Sequence, residues 1–172
     1  MFKKFIPNAY YKNLSAIDPN AYKAKGYKIV IFDFDNTLAS HGSRKSSDYA
    51  NQQIEKWQNS GFIVAIISNA KQDRADDLAK DLPIDIIGNA QKPGTTAFEK
   101  IQDMFKVSKS EMIYFGDQIF TDVWAANNYG IEVVLLDPLN KEEPSYIKVK
   151  RFLEKIVKIL IGKNEYFDDI IA

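Results

Sequence analysis

Apolar runs alternate with amphipathic stretches along this chain at a regular beat. Lys28-Ile29-Val30-Ile31-Phe32 leads into Asp33-Phe34-Asp35-Asn36-Thr37-Leu38, so a β-branched run stops abruptly in polar, turn-forming residues. Such a run predicts a buried strand. Further short strands are predicted over 62–67, 84–87, 112–115 and 132–136. Between them, apolar spacings of three and four predict helices over 47–59, 72–80, 95–105, 119–129 and 146–161. Gly61 and Gly130 stand where two of these helices should stop. Ala97, Phe98, Ile101, Met104 and Phe105 share one helical face, and Ile147, Phe152, Ile156, Ile159 and Leu160 form the apolar stripe of the last helix.

Strands that alternate with helices predict an α/β fold: a three-layer, doubly wound, Rossmann-like parallel sheet with helices on both faces. Right-handed crossovers are expected. Ligands then bind beyond the carboxyl ends of the strands. No repeat or linker splits the chain, so residues 28–163 read as one core, 1–27 as a lead-in and 164–172 as a tail.

Composition narrows the possibilities. The 172 residues suit one domain with a real core. Lys and Arg together number 23, as do Asp and Glu, so net charge gives no argument for nucleic acid as a partner. Cysteine is absent, which excludes a disulfide framework, a thiolate nucleophile and a zinc-thiolate site. No apolar run approaches the roughly 20 residues that span a bilayer. The short apolar start is broken by Pro7 and does not read as a signal peptide. These features fit a cytoplasmic protein.

Charge is unevenly spread. Lys3, Lys4, Lys12, Lys23, Lys25 and Lys28 are interleaved with Phe2, Phe5, Tyr10, Tyr11, Tyr22 and Tyr27, and a second basic cluster runs from Lys148 through Arg151 to Lys163. Two readings of the lead-in stand open. Phe2, Phe5, Ile6, Tyr10 and Tyr11 enter an anionic membrane interface, with lysines at the headgroups and the protein peripheral at the inner face; or they pack across the sheet edge.

The chemistry-bearing residues fall at strand ends. Asp33 and Asp35 close one strand, Ser68-Asn69 the next, Lys92-Pro93 follows the third, and Gly116-Asp117-Gln118 with Thr121-Asp122 follows the fourth. Side chains alternate along a strand, so Asp33 and Asp35 start on one side. Two such acids repel and resist desolvation unless a cation shares the site, and oxygen-only ligands suit Mg²⁺. A carboxylate pair, a hydroxyl, a lysine and a further acidic pair at one sheet edge are the inventory that phosphoryl transfer needs.

Each residue also has a plainer reading. Ser68-Asn69 could cap a helix, Lys92 could be a solvated loop lysine, and Asp117 and Asp122 could complement a helix dipole. His41, the single histidine, lies in a polar loop and reads first as a surface residue, close to where a substrate would be faced.

Taken in order, the motifs resemble those of the haloacid dehalogenase-like phosphatase superfamily. Asp33-Phe34-Asp35-Asn36-Thr37 matches its first motif, Ser68 its second, Lys92 its third, and Gly116-Asp117 with Asp122 its fourth. The lead-in, Ser68-Asn69, Lys92-Pro93 and Gly116-Asp117-Gln118 narrow the resemblance to the subfamily IIIA branch of YqeG-type phosphatases. That branch includes phosphatidylglycerophosphate phosphatases, which implies a lipid phosphate among the substrates to consider.

The resemblance implies roles. Asp33 is the nucleophile that becomes an aspartyl phosphate, and Asp35 the general acid, then base. Mg²⁺ is held by Asp33, the Asp35 carbonyl and Asp117. Ser68 and Asn69 hold phosphate oxygens, Lys92 neutralises charge, and Asp122 orients Lys92 or a metal-bound water. Thr37 and Gly116 support the site, Gly116 by letting the backbone approach closely. The intervals 38–62 and 68–92 hold no folded cap, so only a minimal cap and an open site are expected. The rival readings are a small-molecule phosphatase lidded by an oligomeric neighbour, a receiver-like signalling module, and a non-catalytic binding module. The third strand ends in Ile87-Gly88-Asn89, without the phosphoacceptor acid a receiver needs.

Overall fold

In a computed structural model, residues 3–140 and 143–162 are described, with side chains up to Ile159. The tail 164–172, Phe2, Lys163 and the Leu160 side chain lie outside the described residues. Six parallel strands form one sheet: β1 (Ala9–Tyr11), β2 (Ile29–Phe32), β3 (Ile63–Ile67), β4 (Asp85–Ile87), β5 (Met112–Gly116) and β6 (Glu132–Leu136), in the order β1-β6-β5-β2-β3-β4. The helices are α1 (Pro19–Ala24), α2 (Asp48–Asn59), α3 (Gln72–Asp81), α4 (Thr96–Phe105), α5 (Trp124–Tyr129) and α6 (Ser145–Gly162).

Alternation along β2 explains the layers. Val30 and Phe32 join one core with Trp57, Phe62, Leu78 and Phe115, on the face that α2 and α3 cover. Ile29 and Ile31 join the other, with Phe98, Ile101, Tyr114, Ala125 and Tyr129 from α4, β5 and α5. Trp57 is fully buried and lies 5.0 to 6.0 Å, ring to ring, from Tyr22, Phe32, Phe62 and Phe115. Truncating it to alanine should cost about 3–5 kcal/mol.

β2 lies between β5 and β3, so the chain leaves it in both directions across the sheet. Its carboxyl end is the switch point where such sheets hold ligands. Two elements complete the fold locally. Ser47 caps α2 by accepting from the Ala50 N–H at 3.0 Å, and Gly61 follows the helix at φ 84°, a conformation glycine adopts without penalty. Between β2 and β3 the described chain adds only the loop through His41 and α2, and between Ser68 and Lys92 only α3 and β4. Among the described residues no inserted domain covers the sheet edge, and no helix is long and apolar enough to cross a membrane.

Four features depart from the pattern-based expectations. The lead-in supplies a strand, β1, which pairs in parallel with β6. Three residues behind Pro7 are too few to announce a strand by alternation. Its neighbours Phe5, Ile6, Tyr10 and Tyr11 pack against the two cores, and Phe5 meets Phe120 and Trp124 edge-on at 5.4 Å each. Those apolar groups are half-buried against the cores, which is the packing reading of the lead-in. The stretch 119–129 opens as a π-turn over Ile119–Val123 before α5 begins. Met104 turns to solvent at the end of α4.

The last departure is the largest. In α6, Ile147 is buried but Phe152, Ile156 and Ile159 are exposed, and the inward side carries Glu154 and Val157 instead. Ion pairs through Arg151 and Glu154 hold that side inward together with the buried Ile147 and Val157.

Candidate active site

Asp33 follows directly on β2, and its N–H donates to the Phe115 carbonyl of β5 at 2.8 Å, which fixes the strand end. Lys92 reaches it from the loop after β4. The buried ammonium donates to Asp33 Oδ1 at 2.5 Å, Asp122 Oδ1 at 2.6 Å, the Tyr114 hydroxyl at 2.7 Å and the Ile67 carbonyl at 3.3 Å. Burial pushes its pKa down, but the charges of Asp122 and Asp33 outweigh that and hold it above the ordinary lysine value. The ammonium is therefore a fixed positive charge beside Asp33.

Asp122 is saturated with partners. Besides Lys92, its Oδ1 accepts from the Tyr114 hydroxyl at 2.9 Å, and its Oδ2 accepts from the N–H groups of Gln118 at 2.9 Å and Asp117 at 3.2 Å. It rides on the π-turn that follows β5. Gly116 makes this approach possible, since a Cβ there would stand 2.5 Å from Asp122 Cγ.

Asp33, Asp117 and Asp122 each bring a carboxylate oxygen within 4.8 Å of the others. Asp33 Oδ2 and Asp117 Oδ1 are buried with no hydrogen-bond partner among the described residues. Unpartnered buried carboxylate oxygens are costly. Burial, eased by Lys92 but raised by Asp122 and Asp35, puts Asp33 at about 7. Burial also drives Asp117 well above the ordinary range, against the Arg151 charge. A divalent cation shared by these carboxylates would relieve both penalties, so the donor set fits such an ion. Proximity alone would add Asp122, but its four hydrogen bonds make it a poor third ligand.

Asp35 faces other partners. Arg74 of α3 donates to both its oxygens at 2.8 Å, and the Gly42 N–H donates to Oδ1 at 2.8 Å. His41 Nδ1 is 3.5 Å from the same oxygen. Burial raises the Asp35 pKa, yet the Arg74 and Gly42 hydrogen bonds and the Arg74 charge pull it below the usual carboxylate value.

Ser68 is buried at the end of β3, and its hydroxyl oxygen accepts from the Ala70 N–H at 3.1 Å, leaving the hydroxyl proton to donate. Asn69 is engaged with Lys92: its side-chain oxygen accepts from the Lys92 N–H at 2.8 Å, and its NH₂ donates to the Lys92 carbonyl at 3.2 Å. Its amide thus steadies Lys92, where the sequence led one to expect a phosphate ligand. Thr37 is buried in the turn after Asp35. Asn36 in that turn adopts φ 61° and donates to Glu143 at 2.6 Å.

Three participants escaped the sequence reading. Arg74 lies among the charges of an amphipathic helix, Tyr114 reads as strand core, and Arg151 belongs to a basic run. Arg151 donates to the Asp117 carbonyl at 2.6 Å, to the Asp117 carboxylate, and to Glu143 at 2.7 Å. Only the fold brings them to the site, although a tyrosine two residues before Gly116 could have been flagged by its hydroxyl.

Comparison with known proteins gives the chain's family. A family described as Mitochondrial PGP phosphatase matches residues 2–140. A probable phosphatase, YqeG, of Bacillus subtilis is 29% identical over 156 residues, covering 90% of this chain and 91% of that protein. Phosphatidylglycerophosphate phosphatase 1, chloroplastic/mitochondrial, of Arabidopsis thaliana is 34% identical over 160 residues, covering 87% of this chain; the chain spans only 46% of that protein. Among solved structures, the cobalt-bound deoxy-D-mannose-octulosonate 8-phosphate phosphatase of Haemophilus influenzae shares the fold. Its TM-score is 0.53 at 17% identity, over 85% of this chain and 95% of that one.

Proposed function

The chain belongs to the mitochondrial PGP phosphatase family, and we propose that it hydrolyses phosphomonoesters through an aspartyl phosphate on Asp33, with Mg²⁺ as cation and phosphatidylglycerophosphate as substrate. Membership makes it a phosphatase of the haloacid dehalogenase-like type. The observation that carries the finer reading is the pair of unpartnered oxygens, Asp33 Oδ2 and Asp117 Oδ1, beside the Lys92 ammonium.

Asp33 attacks phosphorus, and the bond to the ester oxygen breaks. Asp35 gives that oxygen its proton. Water then attacks the aspartyl phosphate, its proton goes to Asp35, and Asp33 leaves as carboxylate while inorganic phosphate is released. Both carboxyl groups return to their starting states. Lys92 offsets the charge of Asp33 and of the phosphoryl oxygens, and is itself aimed by Asp122, Tyr114 and Asn69. Ser68 donates its hydroxyl proton to a phosphoryl oxygen. Asp33 and Asp117, with the Asp35 main chain, would hold the cation. Bound Mg²⁺ supplies charge neutralisation at the phosphoryl group.

An uncapped sheet edge suits a bulky phosphate ester. Hydrolysis of phosphatidylglycerophosphate in mixed micelles should exceed that of sugar and nucleotide phosphates, and EDTA should abolish it. Preference for a sugar phosphate would overturn the lipid assignment. Full activity in EDTA would overturn the metal.

A further inference from the structure

Helix α6 is oriented against the usual rule. A surface helix turns its apolar stripe inward. Here the inward side carries Arg151, ion-paired to Asp117, Glu143 and Glu154, while Tyr146, Val149, Phe152, Leu153, Ile156 and Ile159 face out, each more than 40% exposed. Their spacing of three and four places them on one stripe about 20 Å long. Among the described residues, the large exposed apolar side chains are these six, the nearby Leu139, and the scattered Ile63 and Met104. Exposed apolar surface gathered on one helix marks an interaction face.

Charge decides what covers it. The helix carries Lys148, Lys150, Arg151, Lys155 and Lys158, and its one acid among the described residues, Glu154, is buried. Lys148 and Lys155 are exposed beside the stripe. A cavity of about 770 Å³ runs along the same helix; Lys12, Lys148, Arg151, Lys155 and Lys158 line it together with the acids Asp117, Asp137, Glu143 and Glu154. A second copy of the chain would bring the same lysines face to face. An anionic bilayer offers negative headgroups at the level of the lysines and acyl chains at the level of the stripe.

We propose that α6 docks this protein on an anionic membrane surface, with Val149, Phe152, Leu153, Ile156 and Ile159 entering the interface and the exposed Lys148 and Lys155 meeting the headgroups. The docking face is tied to the catalytic edge by Arg151, whose guanidinium bonds the main chain and side chain of Asp117. Docking would thus present Asp117 and Asp33 to a phosphate carried by a lipid, a purpose that rests on the lipid-phosphate reading above. Association of this kind is reversible and weakens with salt, because the stripe is short and the charges lie outside it.

The test uses the full chain and vesicles of phosphatidylcholine, with or without phosphatidylglycerol, at low and physiological salt. Co-sedimentation of the wild type is compared with the Ile156→Gln/Ile159→Gln double variant and with Met104→Gln. Wild type and Met104→Gln should bind the anionic vesicles and lose affinity with salt. The double variant should bind about tenfold more weakly or worse, with an unchanged melting temperature and unchanged hydrolysis of p-nitrophenyl phosphate. Wild type that ignores anionic vesicles, or a double variant that binds as wild type does, overturns the proposal. So does a stable dimer that the double variant dissociates, since a second copy would then cover the stripe. Turnover of p-nitrophenyl phosphate without vesicle binding removes the docking and leaves the catalysis. Vesicle binding without turnover of any phosphate does the reverse.

Discussion

Asp35 and Arg74 meet through two parallel hydrogen bonds of 2.8 Å, Nη1 to Oδ2 and Nη2 to Oδ1. The guanidinium is itself fixed, since its Nε donates to the Ser43 carbonyl at 2.7 Å. A planar fork of this kind sets both the position and the protonation of the carboxyl group. In the free protein it favours the ionised form, which suits Asp35 as the base that activates water. The acid role in the first step requires a proton, which an incoming phosphate dianion favours by opposing the carboxylate charge.

Arg74→Gln should therefore lower kcat by about tenfold to hundredfold, part of the about 10²–10⁴ that a positioned acid and base contribute. The Asp35 pKa should rise without the guanidinium, so the limb of the kcat/KM profile that reports it moves to higher pH. An unchanged profile with unchanged kcat would show that Arg74 only braces the loop.

Asp33 yields a prediction about stability. Its folded pKa is about 7 against an ordinary 3.8. An acid raised in the folded state favours folding only while the unfolded chain is also protonated. That contribution is present below about pH 4 and is lost as pH rises to about 7. In EDTA, the wild type should lose stability across this window. Asp33→Asn should flatten the slope, melt higher than wild type near pH 8, and show no turnover, because an amide is a poor nucleophile. Parallel melting curves against pH would contradict the raised Asp33.

Gly116→Ala tests the close approach of Asp122. A methyl group cannot fit 2.5 Å from Asp122 Cγ, so the π-turn must shift and Lys92 loses its aim. Activity should fall by about 10²-fold, the scale of an ångström-sized misplacement. The overall fold should survive, as judged by circular dichroism. Retained activity would mean that Asp122 and Lys92 need not be fixed relative to β5.

The strands were legible because buried parallel strands read as plain apolar runs, as in 29–32 and 132–136. The runs 29–32, 63–67 and 112–116 end at Asp33, Ser68 and Asp117, so chain order brought these candidate residues to one sheet edge. Arg74 was not legible because nothing local separates it from Asp73, Asp76 and Asp77 on the same helix; its partner is 39 residues away. β1 was hidden by its length, since it exists through pairing with β6. The α6 segment was legible as an amphipathic helix, but of its apolar residues Ile147 turns inward while Phe152, Ile156 and Ile159 face solvent. Periodicity reports that a helix has two faces, and the ion pairs of Arg151, together with Ile147 and Val157, hold one of them inward.

The most direct measurement of the central claim is chemical trapping of the phosphoenzyme. Asp35→Asn protein, given Mg²⁺ and a phosphoryl-labelled aryl phosphate whose leaving group departs without an acid, should transfer phosphate to Asp33 faster than it releases it, since the base for the second step is missing. Acid quenching followed by peptide mapping should find a hydroxylamine-sensitive phosphate on Asp33, and none when EDTA is present. Turnover by the wild type with label on another residue, or with no covalent label in either protein, would contradict the account.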